Sequence, residues 1–371
     1  MYGWPMRSFA LAFALACLSQ VAAAKCIGSG DQDVINRALS AANARAVLCQ
    51  KARFLISKPI LLTAPGQELT TEGSPAEPLQ ATIKVSDAAL DTAIFSRASN
   101  IHIHHIRVDG SRQALGRINK GGALIEIGGS VKDIAVDHVR AFDPRGWSTL
   151  HVFEGQLDCA GAKIVANILG PAGNGGGEWA DGVSFACRNG LIANNRIVDA
   201  TDGAIVIFGA PGTKVLNNVI ISRSKPLLGG INLVDYRPFS GDYTGTVVQG
   251  NSIKATPNGL IKVAIAVGPA VWGSNSGQRN RGGIVIGNHI QGRNVSFGIA
   301  ADGADNFRIE DNDVTGPFFG QKGPRCIPNQ LGPGIALARN SATTTGSYSG
   351  DFEDGPLRYS ICMSDKLRQV N

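Results

Sequence analysis

One short unit recurs along most of this chain and limits what it can become: an apolar residue, two of any kind, an asparagine or polar substitute, one more, then an apolar residue. It reads Ile192-x-x-Asn195-x-Ile197, Val215-x-x-Asn218-x-Ile220, Val248-x-x-Asn251-x-Ile253, Val285-x-x-Asn288-x-Ile290 and Ile309-x-x-Asn312-x-Val314. Upstream it continues as Ile164-x-x-Asn167-x-Leu169, Ile134-x-x-Asp137-x-Val139 and Ile101-x-x-His104-x-Ile106, with a mean spacing of about 30 residues. A second apolar run follows many copies and often opens on glycine, as in Gly182-Val183-Ser184-Phe185, Gly203-Ala204-Ile205 and Gly230-Ile231-Asn232-Leu233.

A repeat of that length holds a few short strands joined by turns. Each strand can pair in parallel with its counterpart one repeat away, at the ~4.8 Å strand spacing. Alternation then sends every second side chain into one continuous core. On this pattern Val183, Phe185, Ile231, Leu233, Ile265, Val267 and Ile299 are expected to point inward. The asparagines mark turns, where they tolerate left-handed backbone and can hydrogen-bond along the stack. Asn195, Asn218, Asn251 and Asn288 should share one column, with a structural rather than a catalytic role. Leucine-rich repeats need a denser leucine pattern, and propeller blades need longer units. The expected fold is therefore all-β: a right-handed parallel β-helix of about eight to eleven coils. The 47 glycines alongside 43% hydrophobic residues fit such a turn-rich chain.

The ends carry other signals. Residues 1–24 read as a secretory signal, with Arg7, an apolar run from Phe9 to Leu18, and Ala22-Ala23-Ala24 before the cleavage point. Cys17 after Ala14-Leu15-Ala16 only weakly resembles a lipoprotein box. Residues 25–371 form one expected domain, with a repeat core over about 80–316 and a Gly/Pro/Ser/Thr-rich tail over 317–371 that folds back as a cap. Val34, Ile35 and Leu39 share one face of an expected helix over 31–44, which would close the open end of the core. Six cysteines remain after cleavage and allow 15 pairings. Neighbour pairing, Cys26–Cys49, Cys159–Cys187 and Cys326–Cys362, is the economical choice. A formal charge of +6 with scattered basic residues argues against nucleic-acid binding. No later run is long enough to insert in a membrane as a helix. The oligomeric state is left open.

The head helix, the Asn-x-Ile coils and the exported context together resemble the pectin-lyase-like superfamily over roughly residues 30–316. That superfamily contains hydrolases, lyases, epimerases and adhesins, so the resemblance implies fold more than activity. A local resemblance to polygalacturonase-type glycosidases is carried by Trp179-Ala180-Asp181 and Thr201-Asp202-Gly203, where that family has Asn-Thr-Asp and paired Asp. Its Gly-His-Gly has no match in Leu228-Gly229-Gly230-Ile231, and its Arg-Ile-Lys survives only as Leu260-Ile261-Lys262.

Three groups of residues could carry chemistry. Asp181 and Asp202 each precede a glycine and a strand, one short coil apart. Stacking would bring their backbones ~5 Å apart and hold a proton on one of them. Glycoside hydrolysis needs one protonated acid and one ionised carboxylate. The same two Asp-Gly pairs also read as plain turns. A second group is Asp143, Arg145, Trp147, His151 and Glu154. His151 alternates with Leu150 and Val152 and should face outward, and Asp143-Pro144-Arg145 faintly resembles the Asp-Pro-His of β-helix uronate epimerases. Trp147 and Trp179 could stack on sugar rings. The third group is Asn232, Asp235, Tyr236, Arg237 and Lys262, of which Arg237 or Lys262 could hold a carboxylate.

The expected function is a secreted glycoside hydrolase that acts on a polysaccharide or oligosaccharide, with Asp181, Asp202 and His151 catalytic and the other named residues binding substrate. Two alternatives stand beside it. One is a uronate lyase or epimerase using His151 or Lys262 as base and Arg145 to neutralise the uronate. The other is a glycan-binding β-helix without activity. No cofactor is expected; Asp181, Asp202 and Asp235 are the acids that could provide a calcium site of the pectate-lyase kind.

Overall fold

The computed structural model describes residues 1, 26–174, 177–272, 277–318, 335–337, 346–349 and 353–354. It is a right-handed parallel β-helix with three sheets, of 12, 10 and 11 strands among the described residues. As far as Val295–Ala301, successive strands go to the three sheets in turn and each pairs with the one three further on; the short strand Ala304–Asp305 then adds an extra member to the first sheet. The first sheet runs from Arg45–Leu48 to Gly346–Tyr348, the second from Arg53–Ile56 to Asp313–Thr315, and the third from Ile60–Leu62 to Glu353–Asp354.

Register follows the inward apolar column. In the first sheet Ile103, Val136, Ile164, Ile192, Val215, Val248, Val285 and Ile309 align coil on coil, and each is fully buried. Each such side chain contributes roughly 1.5–3 kcal/mol by leaving water. The seven residues expected inward in the third sheet are all fully buried as well.

The asparagine ladder is present from Asn167 to Asn312. Each side-chain amide donates to the next carboxamide oxygen: Asn167 to Asn195 at 3.0 Å, Asn195 to Asn218, Asn218 to Asn251 and Asn251 to Asn288 at 2.9 Å, and Asn288 to Asn312 at 2.8 Å. Two details differ from the sequence reading. The left-handed residue is the one before each ladder position, as at Asn194 (φ 56°) and Asn217 (φ 55°). The ladder also does not extend upstream. Asp137 aligns with Val165 and with His104, so Val139 occupies the slot that Asn167 fills one coil later, and Asp137 and His104 face out of the first sheet. The repeat is offset by two residues there, and the sequence does not show it because both Ile101/Ile134 and Ile103/Val136 are apolar.

The expected head helix is shorter than 31–44. It spans Gln32–Ala38, is capped by the Asp31 carboxylate on the Asp33 amide at 2.9 Å, and places Ile35 and the following Leu39 over the first coil. Two of the expected disulfides are formed, Cys26–Cys49 and Cys159–Cys187, each joining neighbouring coils. Cys326, Cys362 and the expected signal segment lie outside the described residues. The described parts of the tail extend the stack: Ile335–Leu337 pairs with Val295–Ala301, and Gly346–Tyr348 pairs with Phe307–Glu310. Among the described residues no helix is long and apolar enough to cross a membrane.

Candidate active site

The outer face of the third sheet is shaped by a repeated bulge. A Cβ at Gly182 would lie 2.8 Å from Ile197 Cγ2, and one at Gly230 3.2 Å from Ile253 Cγ2, so both glycines face the core. Val183 and Ile231, the next residues, also face the core. Two successive inward residues displace the alternation and put outward side chains three apart in each coil. Asp181 and Ser184 are such a pair, as are Gly229 and Asn232. Glycine is required at two outward positions. A Cβ at Gly203 would stand 2.1 Å from Val206 Cγ2 and 3.1 Å from Asp181 Oδ1, and one at Gly229 would stand 2.1 Å from Asn232 Oδ1.

Asp181 is buried on this face. Its Oδ1 accepts from the Gly203 amide at 2.7 Å, and its Oδ2 lies 2.7 Å from Ser184 Oγ. Ser184 Oγ is 2.8 Å from Ser148 Oγ, which lies 3.2 Å from the Leu150 carbonyl oxygen. Each hydroxyl has one proton to give, and the carbonyl has none. All three links are therefore made at once only when Asp181 itself is protonated and donates to Ser184. Burial, and then the charge of Asp202, push the Asp181 carboxyl well above the ordinary carboxylate range, which agrees with that proton count.

Asp202 and Asp235 complete a set of three acids from successive coils. Asp202 does not stack on Asp181 as expected from the two Asp-Gly pairs. Asp181 falls opposite Gly203, and the Asp202 amide instead donates to the Ala180 carbonyl at 3.1 Å. Burial raises the Asp202 carboxyl. Asp235, two residues beyond its strand Pro226–Leu233, is pushed up to about 7 by burial and then by the charge of Asp202.

Asp235 forms part of the wall of a cavity of about 840 Å³, with Trp147, His151, Glu154, Phe208, Tyr236 and Arg237 among the other lining residues. Trp147 and His151 also border a second cavity of about 500 Å³ that reaches Arg117, Lys120 and Glu126. The rings of Trp147 and His151 meet edge to face at 4.8 Å. His151 Nδ1 stands 3.8 Å from Glu126 Oε1, and His151, followed by burial and the Ala123 amide, shapes a Glu126 carboxyl held below its usual range. Asn232, on the same outer face, is buried, with an Oδ1 that meets no hydrogen-bond partner among the described residues.

The structure thus gathers Asp181, Asp202, Asp235, Trp147, His151, Glu154, Asn232, Tyr236 and Arg237 on one face. It places four expected site residues elsewhere. Arg145 is buried and donates to the carbonyls of Gly116 at 2.8 Å, Asp87 at 2.9 Å, Leu115 at 3.0 Å and Leu90 at 3.1 Å. Asp143, at φ 60°, accepts from the Gln113 amide at 2.9 Å. Together they cap the two ends of the short helix Arg112–Leu115 and cannot reach a substrate. Lys262 lies 5.4 Å from the Trp272 ring centre, half-buried, and burial lowers its amine. Trp179 lines neither cavity.

Glu126, Ser148, Ser184 and Phe208 were missed. Glu126 aligns with His151 and Ser184 across adjacent strands, so a coil-by-coil alignment of outward positions would have found it.

Further along the same face the groove is filled. Val263, Ala266, Phe297 and Ala300 form an apolar cluster separate from the main core, closed by Val271 and Trp272 from the 3₁₀ turn Pro269–Trp272.

No family model matches the sequence, and no curated protein resembles it in sequence. Solved structures do resemble it. An alginate lyase from Paenibacillus sp. str. FPU-7 superposes with a TM-score of 0.53 at 13% identity, over 88% of this chain and 98% of that one. A DFA-IIIase from Arthrobacter chlorophenolicus A6 gives 0.46 at 13% identity, over 85% and 88%. At that identity the first likeness is one of fold.

Proposed function

We propose that this chain is an exported carbohydrate-active enzyme of the pectin-lyase-like kind that hydrolyses a glycosidic bond in a polysaccharide or oligosaccharide. The observation that carries the reading is the place of Asp235 on the wall of the larger cavity, where burial and the charge of Asp202 push its carboxyl up to about 7. Asp235 gives its proton to the leaving oxygen as the glycosidic bond breaks. Asp202, partly exposed, takes a proton from the attacking water or engages the anomeric carbon. Asp181, protonated and enclosed, holds the Gly203 amide and so fixes the backbone beside Asp202. Trp147, Phe208 and Tyr236 offer faces for sugar rings.

The fold likeness to an alginate lyase and the disulfides support a carbohydrate partner and export. A second reading has its own observation. His151, backed by Glu126, shares the cavity with Arg237, which is the pairing a uronate lyase needs to abstract a proton beside a neutralised carboxylate.

The experiment is a screen of neutral and uronate polysaccharides, followed for new reducing ends and for ultraviolet absorbance. Hydrolysis gives reducing ends without absorbance, and Asp235→Asn and Asp202→Asn should each lower the rate at least ~100-fold. Absorbing product, lost in His151→Gln and kept in Asp235→Asn, would establish elimination instead. No product from any substrate, with glycan binding retained, would leave a binding module.

A further inference from the structure

Four of the six histidines in the chain, His102, His104, His105 and His138, meet on the outer face of the first sheet, away from the carboxylates of the third. Strand alternation explains the placement. Ile103 and Val136 fill the core, so His102, His104 and Asp137 point outward, and Asp137 lies opposite His104 on the adjoining strand. His105 and His138 occupy the left-handed turn position of successive coils, each at φ 50°, and their rings stack at 4.5 Å. The rings of His102 and His104 stack at 3.9 Å.

The donor atoms already converge. His102 Nε2 contacts Asp137 Oδ2, and His138 Nδ1 lies 2.7 Å from Asp137 Oδ1. His104 Nδ1 lies 2.8 Å from His105 Nδ1. Within His102, His104 and Asp137, and again within His105, Asp137 and His138, one donor atom per residue can be chosen so that all lie within 4.8 Å of one another. Ligands ~2.0–2.1 Å from a tetrahedral ion stand about 3.3 Å apart; ligation requires the His102 and His104 rings to turn out of their stack until both in-plane lone pairs meet the ion. A carboxylate also orients one imidazole from behind. Glu68 Oε1 accepts from His104 Nε2 at 2.9 Å, which leaves Nδ1 as the ligating nitrogen, and Arg45 holds Glu68 by bonds of 2.7 and 2.8 Å.

We propose that His102, His104 and Asp137 bind one divalent metal ion of the zinc class on this face, with His105 and His138 closing around the same carboxylate. Imidazole nitrogen with one carboxylate suits zinc, copper(II), nickel or cobalt. Calcium, which takes six to eight oxygens, is disfavoured.

The test uses the whole chain after chelator treatment and dialysis, titrated with zinc chloride against a chromogenic chelator. One equivalent should bind saturably, cobalt(II) should give a visible ligand-field band, and zinc should raise the melting temperature. His102→Ala and Asp137→Asn should each weaken zinc at least ~10-fold and abolish the thermal shift. His102 and Asp137 are at least partly exposed, so both variants should melt like the parent in chelator. His289→Ala, on the second sheet and far along the chain, should bind normally. The proposal is overturned if the parent binds no zinc saturably, if both variants bind as the parent does, or if calcium competes at equal concentration.

Discussion

Among single residues, Asp235 makes the sharpest prediction. Its folded pKa of about 7 exceeds the ~3.9 of an unfolded aspartate, so the folded chain keeps a proton that the unfolded chain releases. The stability associated with that proton is complete below about pH 4, is lost as pH rises towards 7, and changes little beyond. Asp235→Asn should therefore unfold like the parent near pH 4 and be more stable at pH 8, by on the order of 2–4 kcal/mol in urea titrations. If Asp235 is the proton donor, kcat/KM of the parent should fall as pH passes about 7. His151 was legible in the sequence because it alternates with two core residues. Arg145 and Asp143 were not, because a loop around a proline has no periodicity to show which way a side chain points. The offset of Asp202 was hidden because both Asp-Gly pairs open a strand, yet it is Gly203 that falls opposite Asp181.

Strands and turns were easier to read than side-chain facing. The inward columns and the asparagine ladder follow from period and residue type alone. They failed only in the early coils, where a turn slot held by Val139 leaves no polar marker. Ladder members differ in enclosure. Asn218 is fully buried, donates to the Ile192 carbonyl and to Asn251 at 2.9 Å, and accepts from the Asn195 amide at 3.0 Å. Asn218→Ala strands several of these groups and should cost about 3 kcal/mol or more. Asn312, half-buried at the end of the ladder, should cost about 1 kcal/mol when changed to alanine. Equal losses at the two positions in urea unfolding would mean that the ladder is not a cooperative buried network. Leu233→Ala, in the inward column of the third sheet, should cost ~2–5 kcal/mol on the same measure.

For the whole molecule, a stack of coils presents each face as a long trough, and an open trough lets a polymer lie across many coils and be cut anywhere along its length. Here Val271 and Trp272 sit on Val263, Ala266, Phe297 and Ala300 and fill the trough beyond the carboxylates. On the proposed hydrolysis, a glycan lying along this face would meet a dead end about one coil, roughly 4.8 Å, past Asp235. Only a chain terminus fits against such a stop. Substrate should therefore shorten from one end, with short products of one size from the first minutes and slow loss of viscosity. Replacing Trp272 by alanine should loosen the stop and spread the early products over a range of lengths.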